Sequence, residues 1–157
     1  RGRVLILGAT GGIGGETARR LIQKKWDVRA LKRGFHGSER SGDIQWIGGD
    51  ALDPEQVAAA AADCSAIVHA VNPPGYRNWE HLALPMLRNT IGAAERTGAL
   101  VVLPGTVYNY GPDAFPLVRE GAQQMPVTKK GAIKVQKEKE LEAYSQRRGG
   151  FFWPTRR

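Results

Sequence analysis

A glycine-rich loop near the start of the chain restricts the possible folds more than any other feature. The loop spans residues 8–14 (GATGGIG) and follows the apolar run at residues 4–7 (VLIL), which is typical of a strand buried on both faces. A helical pattern continues after Gly14, with Ala18 and Leu21 on one side. This order predicts a tight turn that leads from a buried strand into the amino end of a helix.

Three glycines of this loop have separate expected roles. Gly8 permits the tight turn, Gly11 lets a diphosphate approach the backbone, and Gly14 lets the helix pack close to the strand. The unpaired N–H groups at the helix start and the helix dipole favour an anion there. We therefore predict a pyrophosphate site, with a tight turn that binds nothing as the alternative. The residues assigned to this site are Gly8, Thr10, Gly11, Gly12, Ile13 and Gly14.

Apolar runs and helical patterns alternate along the rest of the chain. Further strands are predicted over residues 27–31, 44–47, 66–71 and 99–103, and helices from near Pro54, over 79–97 and over 131–148. Such alternation is typical of βαβ units with right-handed crossovers. The fold class is therefore α/β, a doubly wound parallel sheet, with residues 1–148 forming one nucleotide-binding domain.

The end of the second predicted strand indicates which dinucleotide is bound. An NAD-binding domain of this type carries an acid about 20 residues beyond the loop, where it accepts hydrogen bonds from the ribose 2′-OH. Here the sequence reads Leu31-Lys32-Arg33-Gly34 and has no acid. Lys32 and Arg33 would instead pair with a 2′-phosphate. The cofactor is predicted to be NADP(H) rather than NAD, and a solvated basic turn is the alternative.

Two more segments follow predicted strands at the carboxyl edge of the sheet. Asp50, next to Ala51, can accept a hydrogen bond from an adenine amino group or can stabilise its own turn, while Asp53 is expected to cap the next helix. The segment Ala70-Val71-Asn72 precedes a proline turn and is expected to flank the nicotinamide half, because ligands of doubly wound folds bind at this edge. A rigid turn without a ligand is the alternative for that segment.

Composition and charge narrow the remaining classes of protein. The 157 residues suit one domain, and no apolar run is long enough for a membrane-spanning helix. The net charge of +8 divides into +2 for residues 1–118 and +6 for residues 119–157. Mixed signs at helical spacing from Lys134 to Glu142, including Lys137, are typical of a solvated helix face. We predict a soluble, cytoplasmic protein that binds a small-molecule substrate but neither nucleic acid nor a membrane.

Neither metal nor disulfide chemistry is indicated. The three histidines, His36, His69 and His81, have no metal-ligand spacing, and His69 is interpreted as a packed strand residue. Cys64 is the only cysteine and is expected to be buried and inert. No metal site is therefore predicted.

The sequence resembles the extended short-chain dehydrogenase/reductases, which include nucleotide-sugar epimerases and dehydratases. The resemblance rests on the loop at residues 8–14, on Gly49-Asp50-x-x-Asp53, on His69-Ala70 and on Tyr110-Gly111-Pro112, which occur in the family's order. It implies a Rossmann domain that uses NAD(P), a smaller carboxyl-terminal substrate lobe and a possible homodimer. The implied activity is that of an oxidoreductase or epimerase acting on a sugar nucleotide or another carbinol or ketone.

The catalytic residues that the resemblance implies are incomplete. The family uses Ser or Thr and then Tyr-x-x-x-Lys; Thr106 and Lys134 match, but Lys130 stands in place of the tyrosine. A lysine with an ordinary pKa of about 10.4 is charged at neutral pH, so Lys130 would need a strongly lowered pKa to act as a base. Tyr108 or Tyr110 is the alternative proton donor. A non-catalytic NADP(H)-binding redox sensor is the alternative function.

The end of the chain also departs from the family. Residues 147–150 (RRGG) run directly into residues 151–154 (FFWP), without the β-branched sixth strand that the family has. We expect no strand between them and an irregular or broken chain near Gly149. Residues 149–157 are interpreted as a remnant of the carboxyl-terminal substrate region, most of which is absent from this sequence.

Overall fold

A computed structural model describes residues 2–73, 75, 78–119, 121–147 and 151–152. The strands in this part of the chain are β1 (Arg3–Leu7), β2 (Asp27–Lys32), β3 (Ser38–Ser41), β4 (Ile44–Gly48), β5 (Ala66–His69), β6 (Leu100–Val102) and β7 (Phe151–Phe152). The α-helices are α1 (Gly12–Gln23), α2 (Pro54–Ala60), α3 (Trp79–Thr97) and α4 (Lys129–Arg147). Two short 3₁₀ turns, Val107–Asn109 and Pro112–Ala114, lie between β6 and α4.

All seven strands form one sheet in the order β3-β4-β2-β1-β5-β6-β7. Every neighbouring pair is parallel except β3 and β4, which form an antiparallel pair at one edge. From β1 the chain adds β2 and β4 on one side, and from β5 it adds β6 and β7 on the other. The direction of winding therefore reverses between β1 and β5. The predicted doubly wound α/β fold is confirmed, and such a reversal is where this kind of sheet binds ligands.

The alternation of side chains along β1 shows how the sheet is buried on both faces. Val4 and Ile6 pack in a cluster with Ala18 of α1. Leu5 and Leu7 point to the opposite face, into a second cluster that includes apolar side chains of α2, α3 and α4. These four residues of β1 are at most 1% exposed. This continuous burial explains why an uninterrupted apolar run predicts the strand correctly.

Several predicted bounds need correction. The strands predicted over 66–71 and 99–103 are shorter, Ala66–His69 and Leu100–Val102. The helices expected after Gly14 and from Gly131 begin earlier than expected, at Gly12 and Lys129. The strand β3 was not predicted, because its four polar residues are all exposed and carry no apolar alternation.

A strand at residues 151–152 was not predicted, because these residues were interpreted as part of a remnant of the substrate region. Phe151 and Phe152 form β7, which pairs in parallel with Val101 and Val102 of β6 and so extends the sheet. Two aromatic residues are too few for a periodic signal, although aromatic side chains favour strands. Gly149, where an irregular chain is expected, lies outside the described residues, so that expectation and the boundary at 148/149 stay predictions.

Candidate functional site

Two adjoining cavities lie at the carboxyl edge of the sheet. The larger cavity has a volume of about 430 Å³ and the smaller about 200 Å³, and Ala70, Val71 and Asn72 line both. The predicted cofactor residues on the larger cavity are Gly8, Thr10, Gly11, Lys32, Arg33, Asp50, Ala51, Ala70, Val71 and Asn72. The smaller cavity brings together the predicted residues Ile13, Thr106, Lys130 and Lys134. Gly12 and Gly14 are among the lining residues of neither cavity.

Two glycines of the loop are required by the packing of the protein itself. Gly8 has a φ of +90°, and a Cβ at this position would lie 2.6 Å from the carbonyl oxygen of Ala70. A Cβ at Gly14 would collide with the carbonyl oxygen of Gly8, so the first turn of α1 can approach the loop only because residue 14 has no side chain. These contacts agree with the roles predicted for Gly8 and Gly14.

By contrast, the protein does not need a glycine at position 11 or 12. Gly11 has φ −90° and ψ 169°, which any residue can adopt. A Cβ at Gly11 would lie at an ordinary 3.4 Å from the carbonyl oxygen of Gly8, and one at Gly12 would have nothing within 4 Å. The loop thus leaves open space beside the backbone, which is the room that a bound diphosphate would need.

The amino end of α1 has donors that the helix cannot use. Gly11 occupies the N-cap position and has no side chain to accept a hydrogen bond, and the Gly15 N–H donates to the Gly11 carbonyl at 2.8 Å. The N–H groups of Gly12, Ile13 and Gly14 precede the first repeating bond and have no partner within the helix. Together with the positive end of the helix dipole they favour an anion at this position, as predicted for a pyrophosphate.

The two aspartates after β4 have different roles in the turn. Asp53 caps α2 as predicted, because its Oδ1 accepts from the N–H groups of Glu55 at 3.0 Å and Gln56 at 3.1 Å. Asp50 accepts from the Leu52 N–H at 2.9 Å through its own Oδ1 and also lines the larger cavity. Turn stabilisation by Asp50 is therefore present, and its predicted contact with adenine stays a prediction.

Two exposed cations lie at the end of β2 and border the larger cavity. The Lys32 Nζ lies 5.6 Å from the centre of the Trp46 ring, a distance at which the ring face attracts a cation. Arg33 is exposed, and among the described residues its guanidinium has no ion-pair partner. Arg33 is thus the better placed of the two to bind a phosphate.

Three lysines of α4 face the smaller cavity. Lys130, Lys134 and Lys137 follow one another at four and three residues, so they lie on one side of the helix. The Lys130 Nζ lies 5.1 Å from the centre of the Tyr108 ring and 5.9 Å from that of Trp79. The Lys134 Nζ lies 5.5 Å from the Trp79 ring. Burial, and then the charge of Lys130, lower the pKa of Lys134.

Lys137 was expected on a solvated helix face, and that expectation was wrong. The residue is only 2% exposed, and burial together with the charge of Lys134 lowers the pKa of Lys137 to about 7. The surrounding charged residues of α4 conceal its burial in the sequence. Its spacing from Lys130 and Lys134 is the signal that would have placed it on the same side of the helix.

His69 is buried at the end of β5, as interpreted from the sequence, but it also lines the smaller cavity. The Thr90 hydroxyl donates to the Met86 carbonyl at 3.1 Å, so it accepts from His69 Nδ1–H at 2.8 Å. His69 Nε2 is therefore an acceptor, and it has no hydrogen-bond partner among the described residues. Burial, and then the charges of Lys137 and Lys134, hold the pKa of His69 well below its usual value.

The loop after β6 positions Thr106 and Tyr108 at the cavity. The Thr106 Oγ1 accepts from the Tyr108 N–H at 3.3 Å and so begins the first 3₁₀ turn. Tyr108 lines the smaller cavity, whereas Tyr110, the other suggested proton donor, is not among its lining residues. Asn109 donates to Glu138 of α4, and Gln124 donates to the other oxygen of that carboxylate at 2.6 Å. These bonds hold the loop against α4.

Known structures show the same fold with a longer chain. UDP-glucose 4-epimerase from Brucella ovis in complex with NAD has a TM-score of 0.79 and 20% identity, and the match covers 96% of this chain and 50% of that one. L-threonine dehydrogenase from Clostridium difficile has a TM-score of 0.80 and 21% identity, with coverages of 94% and 50%. UDP-N-acetylglucosamine 4-epimerase from Bacillus cereus has a TM-score of 0.78 and 18% identity, with coverages of 94% and 52%.

The chain therefore spans about half the length of these structures. Their folds match that of this chain over nearly its whole length, which confirms the fold that the resemblance to extended short-chain dehydrogenase/reductases implied. No curated protein matches the sequence. Among the described helices, none combines the length and the hydrophobicity that a membrane-spanning segment requires.

A family model described as NAD(P)H-binding matches residues 8–146, from the glycine loop to the end of α4. Because this match takes in most of the sequence, the chain belongs to the NAD(P)H-binding family.

Proposed function

We propose that this chain is the cofactor domain of an NADP(H)-dependent oxidoreductase or epimerase that acts on a sugar nucleotide or another carbinol or ketone. One observation carries the proposal: a cavity of about 430 Å³ runs from the glycine loop to the basic end of β2. The cavity reaches Gly11, the N-cap residue of α1, at one end and two cations at the other. A dinucleotide with a pyrophosphate and a 2′-phosphate has matching charges.

The residues present fit this cofactor. The open space beside Gly11, which a Cβ would fill, accepts the pyrophosphate, and the N–H groups at the start of α1 bind it. Arg33, with Lys32, would bind the 2′-phosphate, since a guanidinium can bind phosphate through two hydrogen bonds. Asp50 would accept from the adenine amino group. When bound, the nicotinamide supplies or accepts a hydride.

The smaller cavity would hold the reacting part of the substrate. Ala70, Val71 and Asn72 connect the two cavities and would lie between cofactor and substrate. Thr106 would donate a hydrogen bond to the substrate oxygen, and Lys134 would bind the nicotinamide ribose. Lys130 occupies the position of the family tyrosine and is the group that the resemblance places nearest the proton transfer. Residues 149–157 would begin the substrate region.

Calorimetric titration with NADP⁺, NADPH, NAD⁺ and NADH tests the choice of cofactor. We expect NADP(H) to bind more tightly than NAD(H), and Arg33→Ala to remove most of that preference. A hydrogen-bonded charge pair contributes about 1.5–3 kcal/mol, so NADP⁺ affinity should fall about 10- to 150-fold. NAD⁺ affinity should hardly change. Lys139→Ala removes an exposed cation outside both cavities and serves as the control. Equal affinity of the wild type for NAD⁺ and NADP⁺ would contradict the proposal.

A non-catalytic NADP(H) sensor is the second candidate, and one observation favours it. The position of the family tyrosine is occupied by Lys130, whose Nζ lies within 6 Å of two ring centres, 5.1 Å from Tyr108 and 5.9 Å from Trp79. Ring faces attract a charged amine, which is the form that cannot accept a proton. Incubation of the protein with NADPH or NADP⁺ and a panel of ketones and nucleotide sugars separates the two functions. Turnover, followed by absorbance of the reduced nicotinamide, supports an enzyme; tight binding without turnover supports a sensor.

A further inference from the structure

The floor of the smaller cavity contains an amine to which the family resemblance assigns no role. Lys137 lines this cavity although the residue as a whole is 2% exposed. Among the described residues it has no salt-bridge partner and is not above an aromatic ring. Its nearest carboxylate along the helix, Glu138, accepts hydrogen bonds from Asn109 and Gln124. Lys137 therefore lines the cavity without a counter-ion among the described residues.

The titratable groups around Lys137 come from three elements. His69 at the end of β5, Lys134 and Lys130 on α4, and Tyr108 in the 3₁₀ turn line the same cavity. Its described lining includes no carboxylate. Burial and the positive charge of Lys134 both favour the neutral amine, and together they lower the pKa of Lys137 to about 7. A group with such a pKa can both accept and donate a proton at neutral pH.

The other two lysines are less suited to moving a proton. The Lys130 Nζ lies 5.1 Å from the Tyr108 ring centre and 5.9 Å from that of Trp79, and the Lys134 Nζ lies 5.5 Å from the Trp79 ring; ring faces attract a charged amine at such distances. Lys137 has no such ring within the described residues. His69 Nε2, a buried acceptor without a partner, lines the same cavity and offers a lone pair to a donor that enters it. A substrate hydroxyl is such a donor, and so is the protonated Lys137.

We propose that the Nζ of Lys137 transfers the proton to and from the substrate oxygen, in place of the missing tyrosine. This role rests on the proposed oxidoreductase function. In the oxidation of a carbinol, the neutral amine takes the hydroxyl proton and becomes an ammonium group. The O–H electron pair forms the carbonyl π bond, and the carbon-bound hydrogen leaves as a hydride to the oxidised dinucleotide. Reduction follows the reverse course, with the ammonium group as proton donor.

Kinetics of Lys137 variants test this role. The probes are UDP-glucose with NADP⁺ and 9,10-phenanthrenequinone with NADPH, measured from pH 5.5 to pH 9.5. For the wild type, we expect oxidation to increase with pH through about 7, the pKa at which Lys137 loses its proton. Lys137→Met should lower kcat by about 10²- to 10⁴-fold, the usual contribution of acid–base catalysis. Lys139→Met, outside both cavities, should leave kcat unchanged.

Chemical rescue distinguishes proton transfer from a structural role. Lys137→Gly removes the side chain and leaves space in which a small primary amine can bind. Ethylamine and 2-fluoroethylamine, which differ in basicity, should restore activity to different extents, whereas a residue needed only for folding would not respond to amine basicity. Circular dichroism of each variant checks that it folds. If Lys137→Gly does not fold, the rescue is done with Lys137→Ala, and the Lys137→Met kinetics decide.

A spectroscopic measurement is independent of turnover. Reductive methylation with ¹³C-formaldehyde labels the lysines, and the Lys137→Met spectrum assigns the resonance. That resonance should titrate near pH 7 and should do so with NADP⁺ bound as well.

The outcomes separate the two proposals. If the wild type binds NADP⁺ but turns over neither these probes nor the wider panel, the oxidoreductase function and the role of Lys137 are both wrong. If the wild type turns over a probe while Lys137→Met keeps more than a tenth of its kcat, only the role of Lys137 is wrong. A Lys137 resonance that titrates above pH 9.5 would also overturn it. Amine rescue of Lys130→Gly but not of Lys137→Gly would assign the proton transfer to Lys130 instead.

Discussion

Replacement of Gly11 by alanine should separate the fold of the glycine loop from its ability to bind a ligand. The backbone at Gly11 has φ −90° and ψ 169°, and the new Cβ would lie 3.4 Å from the carbonyl oxygen of Gly8. Neither value requires the loop to move. Because alanine also restricts the unfolded chain, Gly11→Ala should leave stability unchanged or raise it by up to about 1 kcal/mol.

The same methyl group should weaken binding of the dinucleotide. Gly11 lines the larger cavity, at the position proposed for the pyrophosphate. An extra carbon in a closely packed contact costs about 1–3 kcal/mol, which corresponds to a 5- to 150-fold loss of affinity. Gly14→Ala is the matched comparison, since its Cβ would collide with the Gly8 carbonyl oxygen. That variant should lose about 1–3 kcal/mol of folding free energy.

Urea denaturation followed by circular dichroism measures the two stabilities, and calorimetry with NADP⁺ measures the affinities. Destabilisation of Gly11→Ala as large as that of Gly14→Ala would contradict the first expectation. Normal folding of Gly11→Ala together with wild-type affinity for NADP⁺ would contradict the second. In the second case the open space beside Gly11 would not be where the ligand lies.

Two further predictions concern buried cations. Because the pKa of Lys137 is lowered to about 7, the unfolded chain binds more protons than the folded one between pH 7 and the ordinary lysine pKa near 10.5. The free energy of unfolding should therefore rise with pH across this window, by up to about 5 kcal/mol. Urea denaturation at a series of pH values measures this rise, and Lys137→Met should abolish it. Arg29 is buried and donates to the carbonyl groups of Ala60 at 2.7 Å and Ala62 at 2.9 Å, at the end of α2. Arg29→Met should therefore lower the free energy of unfolding by about 3 kcal/mol. An unchanged midpoint of urea denaturation would contradict this.

The parts of the fold that were predictable are those whose signals are local. The run at residues 4–7 is apolar because β1 is covered on both faces, and the loop after it needs glycine at positions 8 and 14 for steric reasons within a few residues. The bounds of α3 agree with the predicted 79–97. The helix stops there because the next residue, the C-cap Gly98, has a φ of +71°. Glycine is common at that position because it alone adopts this conformation without strain.

The burial of Lys137 was not predictable from the local pattern. It depends on how α4 packs against α3 and on the loop that Asn109 ties to Glu138, and these contacts join residues far apart in the sequence. The edge strand β3 was not predicted for a different reason. Its residues, Ser38–Ser41, are polar and exposed, so they have no apolar alternation that would indicate a strand. Their extended conformation comes from pairing with β4.

The segment Ala70-Val71-Asn72 lines both cavities, and this affects the order in which two ligands can bind. A dinucleotide bound in the larger cavity would restrict the conformations of this segment, so a substrate entering the smaller cavity would meet a surface that is already ordered. We expect compulsory-order kinetics, with the dinucleotide first and release in the opposite order. Thermodynamic linkage then requires the second molecule to tighten the hold on the first by the same factor.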